Sequence, residues 1–205
     1  MSAHCCPAPA PSVDPKYRRA LWVALVVNAV MFVAELTAAW SSGSLSLLAD
    51  SIDFFGDAAN YGLSLAVVGL SLTVRSTAAI FKAACMGGFG LFVLGSALWR
   101  LDGSAAPEAL TMGAVGFVAL LANVGVAALL YRFRSGDANM RSVWICSRND
   151  AIGNLAVMAA ALGVFGTRSA WPDLLVAVLM GALALSGAVT VFRQARREMR
   201  EAVAH

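Results

Sequence analysis

Apolar residues arrive along this chain in long, nearly unbroken blocks rather than at alternating or helical-stripe positions. Six blocks stand out, at about residues 20–40, 45–72, 77–99, 107–131, 141–165 and 169–192. Each reaches the roughly 18 to 20 residues an α-helix needs to cross a hydrocarbon core. The pattern predicts an all-α, polytopic membrane protein built as a six-transmembrane-helix bundle. The first two spans are joined only by Ser41-Ser42-Gly43-Ser44, so they are expected to be antiparallel neighbours.

Polar positions complete the layout. Residues 1–19 contain Pro7, Pro9, Pro11, Asp14 and Lys16 but no apolar h-region, and read as a polar N-terminal tail rather than a signal peptide. Residues 20–193 form one transmembrane domain and 194–205 a short C-terminal tail, with a surface helix expected from Arg193 onward. Lys16, Arg18, Arg19, Arg75, Lys82, Arg132, Arg134, Arg141, Arg193, Arg196, Arg197 and Arg200 fall on one side of such a bundle, against Arg100 and Arg168 on the other. Because short translocated loops lose their basic residues, both termini are expected in the cytoplasm, in a bacterial inner membrane.

Composition agrees. The chain is 60% hydrophobic and 13% charged, where an average soluble domain has about 25% charged residues. Its net charge of +3 follows from topology and attraction to anionic lipid headgroups, and implies no nucleic-acid partner. Cys5, Cys6, Cys85 and Cys146 have no disulfide-framework spacing. Cys85, within an apolar span, reads as packing.

Against this background the ionisable residues inside spans carry the chemistry, since each costs roughly 2.5 to 3.5 kcal/mol at a helix centre on insertion scales. They are Glu35 in the first span, Asp50, Asp53 and Asp57 in the second, and Arg148 and Asp150 in the fifth. A helix turns about 100° per residue, so Asp53 and Asp57 share one face and Asp50 lies near it. Cys146, Asp150 and Asn154 recur at four-residue intervals on the fifth span. If the two faces meet, Asp53, Asp57, Cys146 and Asp150 supply the four ligands of a tetrahedral, zinc-like ion. A thiolate favours Zn or Cd over Mg or Ca. Asn28, Glu35, Asp50 and Asn154 are candidates for an accessory or proton pathway. Other readings stand beside that one: a structural Asn28–Glu35 hydrogen bond, an Asp50 that is hydrated or caps a turn, and an Arg148 that pairs with an acid or snorkels.

The run from Gly43 to Asp57 resembles the second-helix signature of the cation diffusion facilitator family, in which a His or Asp and an Asp four residues later bind the transported metal. Asn28, Glu35 and the run Asp150-Ala151-Ile152-Gly153-Asn154 are also similar to that family's pattern, across residues 16–193. The resemblance implies efflux of a divalent cation, Zn2+ foremost with Cd2+ or Co2+ as further candidates, in exchange for protons. It involves no organic cofactor and no enzymatic step. It places Asp53 and Asp57 on the second-span ligand positions, Asp150 on the fifth-span carboxylate and Cys146 where the family usually has His.

Three departures accompany it: the missing fifth-span His, no His-rich loop between the fourth and fifth spans, and no soluble dimerisation domain after Arg193. A homodimer would then rest on membrane helices, for which Ala84 with Gly88, Ala177 with Gly181, and Ala184 with Ala188 provide small-residue pairs; the same pairs equally serve packing within one subunit, the use expected first. His4-Cys5-Cys6 is a candidate for metal capture in the cytoplasmic tail. Two alternatives keep the carboxylates without the flux: a membrane metal sensor or accessory subunit, and an intramembrane metal-dependent enzyme. The latter lacks a Tyr-Asp partner span and an Asp-Gly…Ala-Arg run.

Overall fold

The structure, a computed structural model, describes residues 15–66, 72–102, 105–133 and 138–204, with side chains for all of these except 63–64, 72–75, 82, 102, 138–149, 198 and 201–204. His4, Cys5 and Cys6 lie outside the described residues, as do the side chains of Cys146 and Arg148.

Each apolar block is a helix. In chain order they are α1 (Pro15–Ser42), α2 (Leu45–Ala66), α3 (Leu72–Trp99), α4 (Ala109–Tyr131), α5 (Ala138–Thr167) and α6 (Trp171–Ala204), with a 3₁₀ turn at Arg100–Asp102. No strand occurs among the described residues. Five of the helices are long and apolar enough to cross a membrane. The exception, α2, has 22 residues and carries Asp50, Asp53 and Asp57. The expected surface helix after Arg193 continues α6 without a break.

The helices pack as three main pairs, α1 on α2, α4 on α5 and α3 on α6. α2 also touches α3, α5 and α6, which makes it the central helix. The bundle's exterior is apolar, with Phe81, Leu110, Leu162 and Phe165 all largely exposed, as expected where the solvent is lipid. Trp40, Trp99 and Trp171 are exposed at helix ends on the same side, where indole rings sit at a membrane–water interface.

In the half of the bundle nearer that side, Leu47, Ile52, Val93, Met112, Val157 and Ala177 are nearly inaccessible and form the main core. A smaller core of Tyr17, Leu21, Tyr61, Val126 and Leu130 joins α1, α2 and α4 at the opposite end. The small residues of α6 serve packing within the subunit. Ala177, Gly181, Ala184 and Ala188 are buried, and a Cβ at Gly90 of α3 would stand 3.2 Å from the Gly181 carbonyl oxygen. Ala84 and Gly88 of α3 are exposed.

The turn between α1 and α2 is tied down by partners remote in sequence. Gly43 takes φ +71°, the left-handed conformation that glycine adopts without steric penalty. Ser44 caps α2, its Oγ accepting from the Leu47 amide at 3.1 Å. The carboxylate of Asp173, in the first turn of α6, accepts from Ser44 Oγ at 2.6 Å, the Leu45 amide at 2.8 Å and the Ser46 amide at 3.0 Å. It thereby satisfies two amides that the start of α2 leaves without intrahelical partners, and its charge opposes the positive end of the helix dipole. Arg100 donates to the Gly43 carbonyl, and the Glu108 amide donates to the Ser42 carbonyl at 3.0 Å.

Candidate metal and proton site

α2 and α5 run antiparallel and touch, so residues ascending one helix meet residues descending the other. Asp50 of α2 lies opposite Asn154 of α5, whose amide nitrogen donates to Asp50 Oδ2 at 2.6 Å. Asp150, one turn before Asn154 on α5, interacts side chain to side chain with Asp57 of α2, with Asp53 and Asp50 also within electrostatic range. The continuous α2 helix holds Asp53 and Asp57 on one face, as the four-residue spacing requires. Cys146 is one turn before Asp150, so its backbone lies beyond Asp150 in the direction away from Asn154.

These polar groups form two layers. In the deeper one, Asn123 of α4 donates to Asn154 Oδ1 at 2.9 Å. Asn154 donates in turn to Asp50, and Asp50 meets Glu35 of α1 side chain to side chain. Glu35 and Asn154 are fully buried, Asp50 is 2% exposed and Asn123 3%. This polar chain crosses α4, α5, α2 and α1. Neither Glu35 oxygen has a hydrogen-bond donor among the described groups. Two ionised carboxylates can only accept, so the Glu35–Asp50 approach becomes a hydrogen bond only when one of them holds a proton. The Asn154 amide already supplies a donor to Asp50, which leaves Glu35 as the member without one.

In the second layer Asp53, Asp57 and Asp150 are half-buried. The Tyr61 hydroxyl donates to Asp57 at 3.4 Å, and Asp150 Oδ2 is buried with no partner among the described groups. Three carboxylates on two facing helices repel unless protons or a cation compensate them. Among the described residues no three His, Cys, Asp or Glu side chains converge into a ready-made metal cage.

Two local expectations are corrected. Asn28 donates to the Ala24 carbonyl at 2.8 Å on its own helix and its Oδ1 has no described partner. The Asn28–Glu35 hydrogen bond is therefore not made, because a seven-residue spacing places the two about 10 Å apart along the axis. Asp50 is neither hydrated nor a turn cap, since it is buried against Asn154. Asn123, Tyr61 and Asp173 did not emerge from the sequence pattern. A lone Asn within an otherwise apolar span was the available signal for Asn123.

Fold and interior together define an integral membrane protein with a carboxylate-bearing polar seam through its helices. A family model described as the cation efflux transmembrane domain matches residues 21–199, nearly the whole bundle, and the chain belongs to that family. It is 25% identical over 175 residues, 80% of this chain and 55% of the relative, to metal cation efflux system protein CzcD of Cupriavidus metallidurans. It is likewise 25% identical over 203 residues, 93% of this chain and 65% of the relative, to zinc transporter ZitB of Yersinia pseudotuberculosis. Zinc transporter ZitB of Pectobacterium atrosepticum matches at 25% over 194 residues, 88% of this chain and 61% of that protein. The chain thus spans between 55% and 65% of the length of these relatives.

Proposed function

We propose that the protein moves a divalent transition-metal cation out of the cytoplasm in exchange for protons, with Zn2+ the leading substrate and Cd2+ and Co2+ the next. The observation that supports this reading is the interaction of Asp57 and Asp53 on α2 with Asp150 on the antiparallel α5. These three carboxylates and Cys146 are the proposed ligands, and the set suits a tetrahedral ion that accepts oxygen and sulfur donors. Membership in the cation efflux family supports transport as the activity and gives no reason to invoke catalysis. The names of the CzcD and ZitB relatives support a metal cation, and zinc in particular, as the substrate.

In this reading the two layers divide the work. The half-buried carboxylates take the metal, and protons replace it when it leaves, so the cluster is never left fully ionised in a low-dielectric interior. Glu35 and Asp50 hold a proton between them, with Asn154 and Asn123 fixing Asp50 in place. The apolar core beside the α1–α2 turn seals the site on the extracytoplasmic side, and the Asp173 clamp holds that end closed. The basic ends of α1 and α6 face the cytoplasm of a bacterial inner membrane. His4, Cys5 and Cys6 are candidates to capture metal there. Association of two copies through membrane helices is compatible with the exposed small residues of α3.

The test is proton movement in sealed vesicles containing the purified protein, followed while Zn, Cd, Co, Mn and Fe are added in turn. Zinc and cadmium are expected to drive the largest proton flux and manganese the smallest. Metal binding without flux in either direction would favour a sensor or accessory subunit, and flux that ignores the metal's identity would remove the role given to Cys146.

A further inference from the structure

The buried face of α1 includes Leu21, Ala24, Asn28, Met31, Glu35 and Ala38, in steps of three or four residues. Its two polar side chains are enclosed and short of donors. Asn28 is 1% exposed and Glu35 0%, and neither Asn28 Oδ1 nor either Glu35 oxygen meets a donor among the described groups. The Asn28 amide cannot turn round to mend this. Its Nδ2 already donates to the Ala24 carbonyl at 2.8 Å, and the reverse orientation would set two carbonyl oxygens against each other.

A proton does not complete the set. Shared between Glu35 and Asp50 it satisfies one Glu35 oxygen, and the other still lacks a donor, as does Asn28 Oδ1. A cation beside Glu35 would leave the Asn28 amide, about 10 Å away along the axis, as it was. Water is small, brings two donors and is the usual partner of buried polar groups that lack another. The ground between Asn28 and Glu35 is held by Met31, with Phe54 of α2 and Ala119 of α4. Helices α1 and α4 run antiparallel, joined at one end through Ser42 and Glu108 and packed at the other through Leu21 and Val126. Asn123, one turn beyond Ala119, therefore comes to the level of Asn28, one turn before Met31. Polar groups stand on both sides of a small cluster whose methionine is a flexible filler of irregular space.

We infer that bound water occupies the α1–α2–α4 interface between Asn28 and Glu35, donating to Asn28 Oδ1 at one end and to the Glu35 carboxyl at the other. About three hydrogen bonds of about 2.8 Å span the separation, so about two waters suffice. Asn28 is then a positioning residue: it anchors the water that supplies donors to Glu35 when that carboxyl gives up its proton. This role rests on the transport reading, whereas the water site itself does not.

The experiment exposes the full chain in metal-free nanodiscs to short X-ray pulses, which turn bound water into hydroxyl radicals in place, and reads methionine oxidation by mass spectrometry. Met31 and Met180 are equally hidden, at 6% and 7% exposure, but Met180 belongs to the main apolar core. Met31 is expected to oxidise about 10-fold faster than Met180. Asn28→Leu removes the acceptor and fills its space, and should bring Met31 down to the Met180 rate. Asn28→Ser keeps an oxygen that accepts while its hydroxyl donates to the Ala24 carbonyl, and should retain the fast rate. An unchanged Met180 rate confirms that each variant stays packed. In proteoliposomes Asn28→Leu is expected to lose most of its metal-driven proton flux with zinc affinity unchanged, and Asn28→Ser to keep it. Met31 oxidised no faster than Met180 in the wild-type chain, or fast oxidation that survives Asn28→Leu, would overturn the water site. Normal flux in Asn28→Leu would overturn the role given to Asn28. A wild-type chain that moves no metal would contradict the transport reading alone, because the oxidation comparison uses neither metal nor flux.

Discussion

Asp57→Ala is expected to reduce metal-dependent transport in proteoliposomes by more than about 100-fold, the upper end of what loss of a merely supporting residue costs at a metal site. Asp57 interacts with Asp150 across the α2–α5 interface, so removing it takes away a proposed ligand. Folding should survive. Deleting one of three clustered carboxylates relieves like-charge repulsion. Helical circular dichroism and monodispersity in detergent should match wild type. Asp53→Ala is expected to behave the same way, because Asp53 shares the α2 face with Asp57 and faces Asp150. Transport at wild-type rates by either variant would remove the proposed site. Loss of transport together with loss of fold would make these carboxylates structural.

Asp173→Ala is expected to have the opposite profile: a large loss of stability with no change in which metals compete for the site. The substitution leaves the Leu45 and Ser46 amides and the Ser44 hydroxyl without their acceptor in a buried turn. At about 1 to 3 kcal/mol for a buried donor left unpaired, with some relief from Ser44 Oγ and water, a net cost of about 4 kcal/mol follows. Thermal unfolding in detergent should show it as a marked drop in midpoint. Asp173→Asn retains one acceptor oxygen and should lose roughly half as much. A midpoint unchanged in Asp173→Ala would mean that the clamp contributes nothing to holding α2 against α6.

What the sequence disclosed and what it withheld divide along a physical line. Six spans were legible because apolar blocks of membrane-crossing length admit few alternatives, and each became a helix. Asp53 and Asp57 on one face were legible because helical spacing is a local property. Spacing within a helix does not tell which residue of another helix it will meet. The Asp50–Asn154 bond and its extension to Asn123 could therefore not be read from periodicity. Asp50 looked like a residue near the membrane face when only its distance from the Ser41–Ser44 turn was considered. Burial against α5 supplied what that distance could not.

Asp173 was obscured for a different reason. An acid in the first turn of a helix is ordinarily explained by that helix's own dipole, and here the carboxylate serves the start of α2 instead.

The central claim is that one divalent cation is held between α2 and α5, and anomalous X-ray diffraction at the zinc edge from crystals grown with Zn2+ addresses it directly. A single strong peak bounded by Asp53, Asp57, Cys146 and Asp150 is the expected result. A peak elsewhere in the bundle, or zinc found only at the protein's surface, would contradict it.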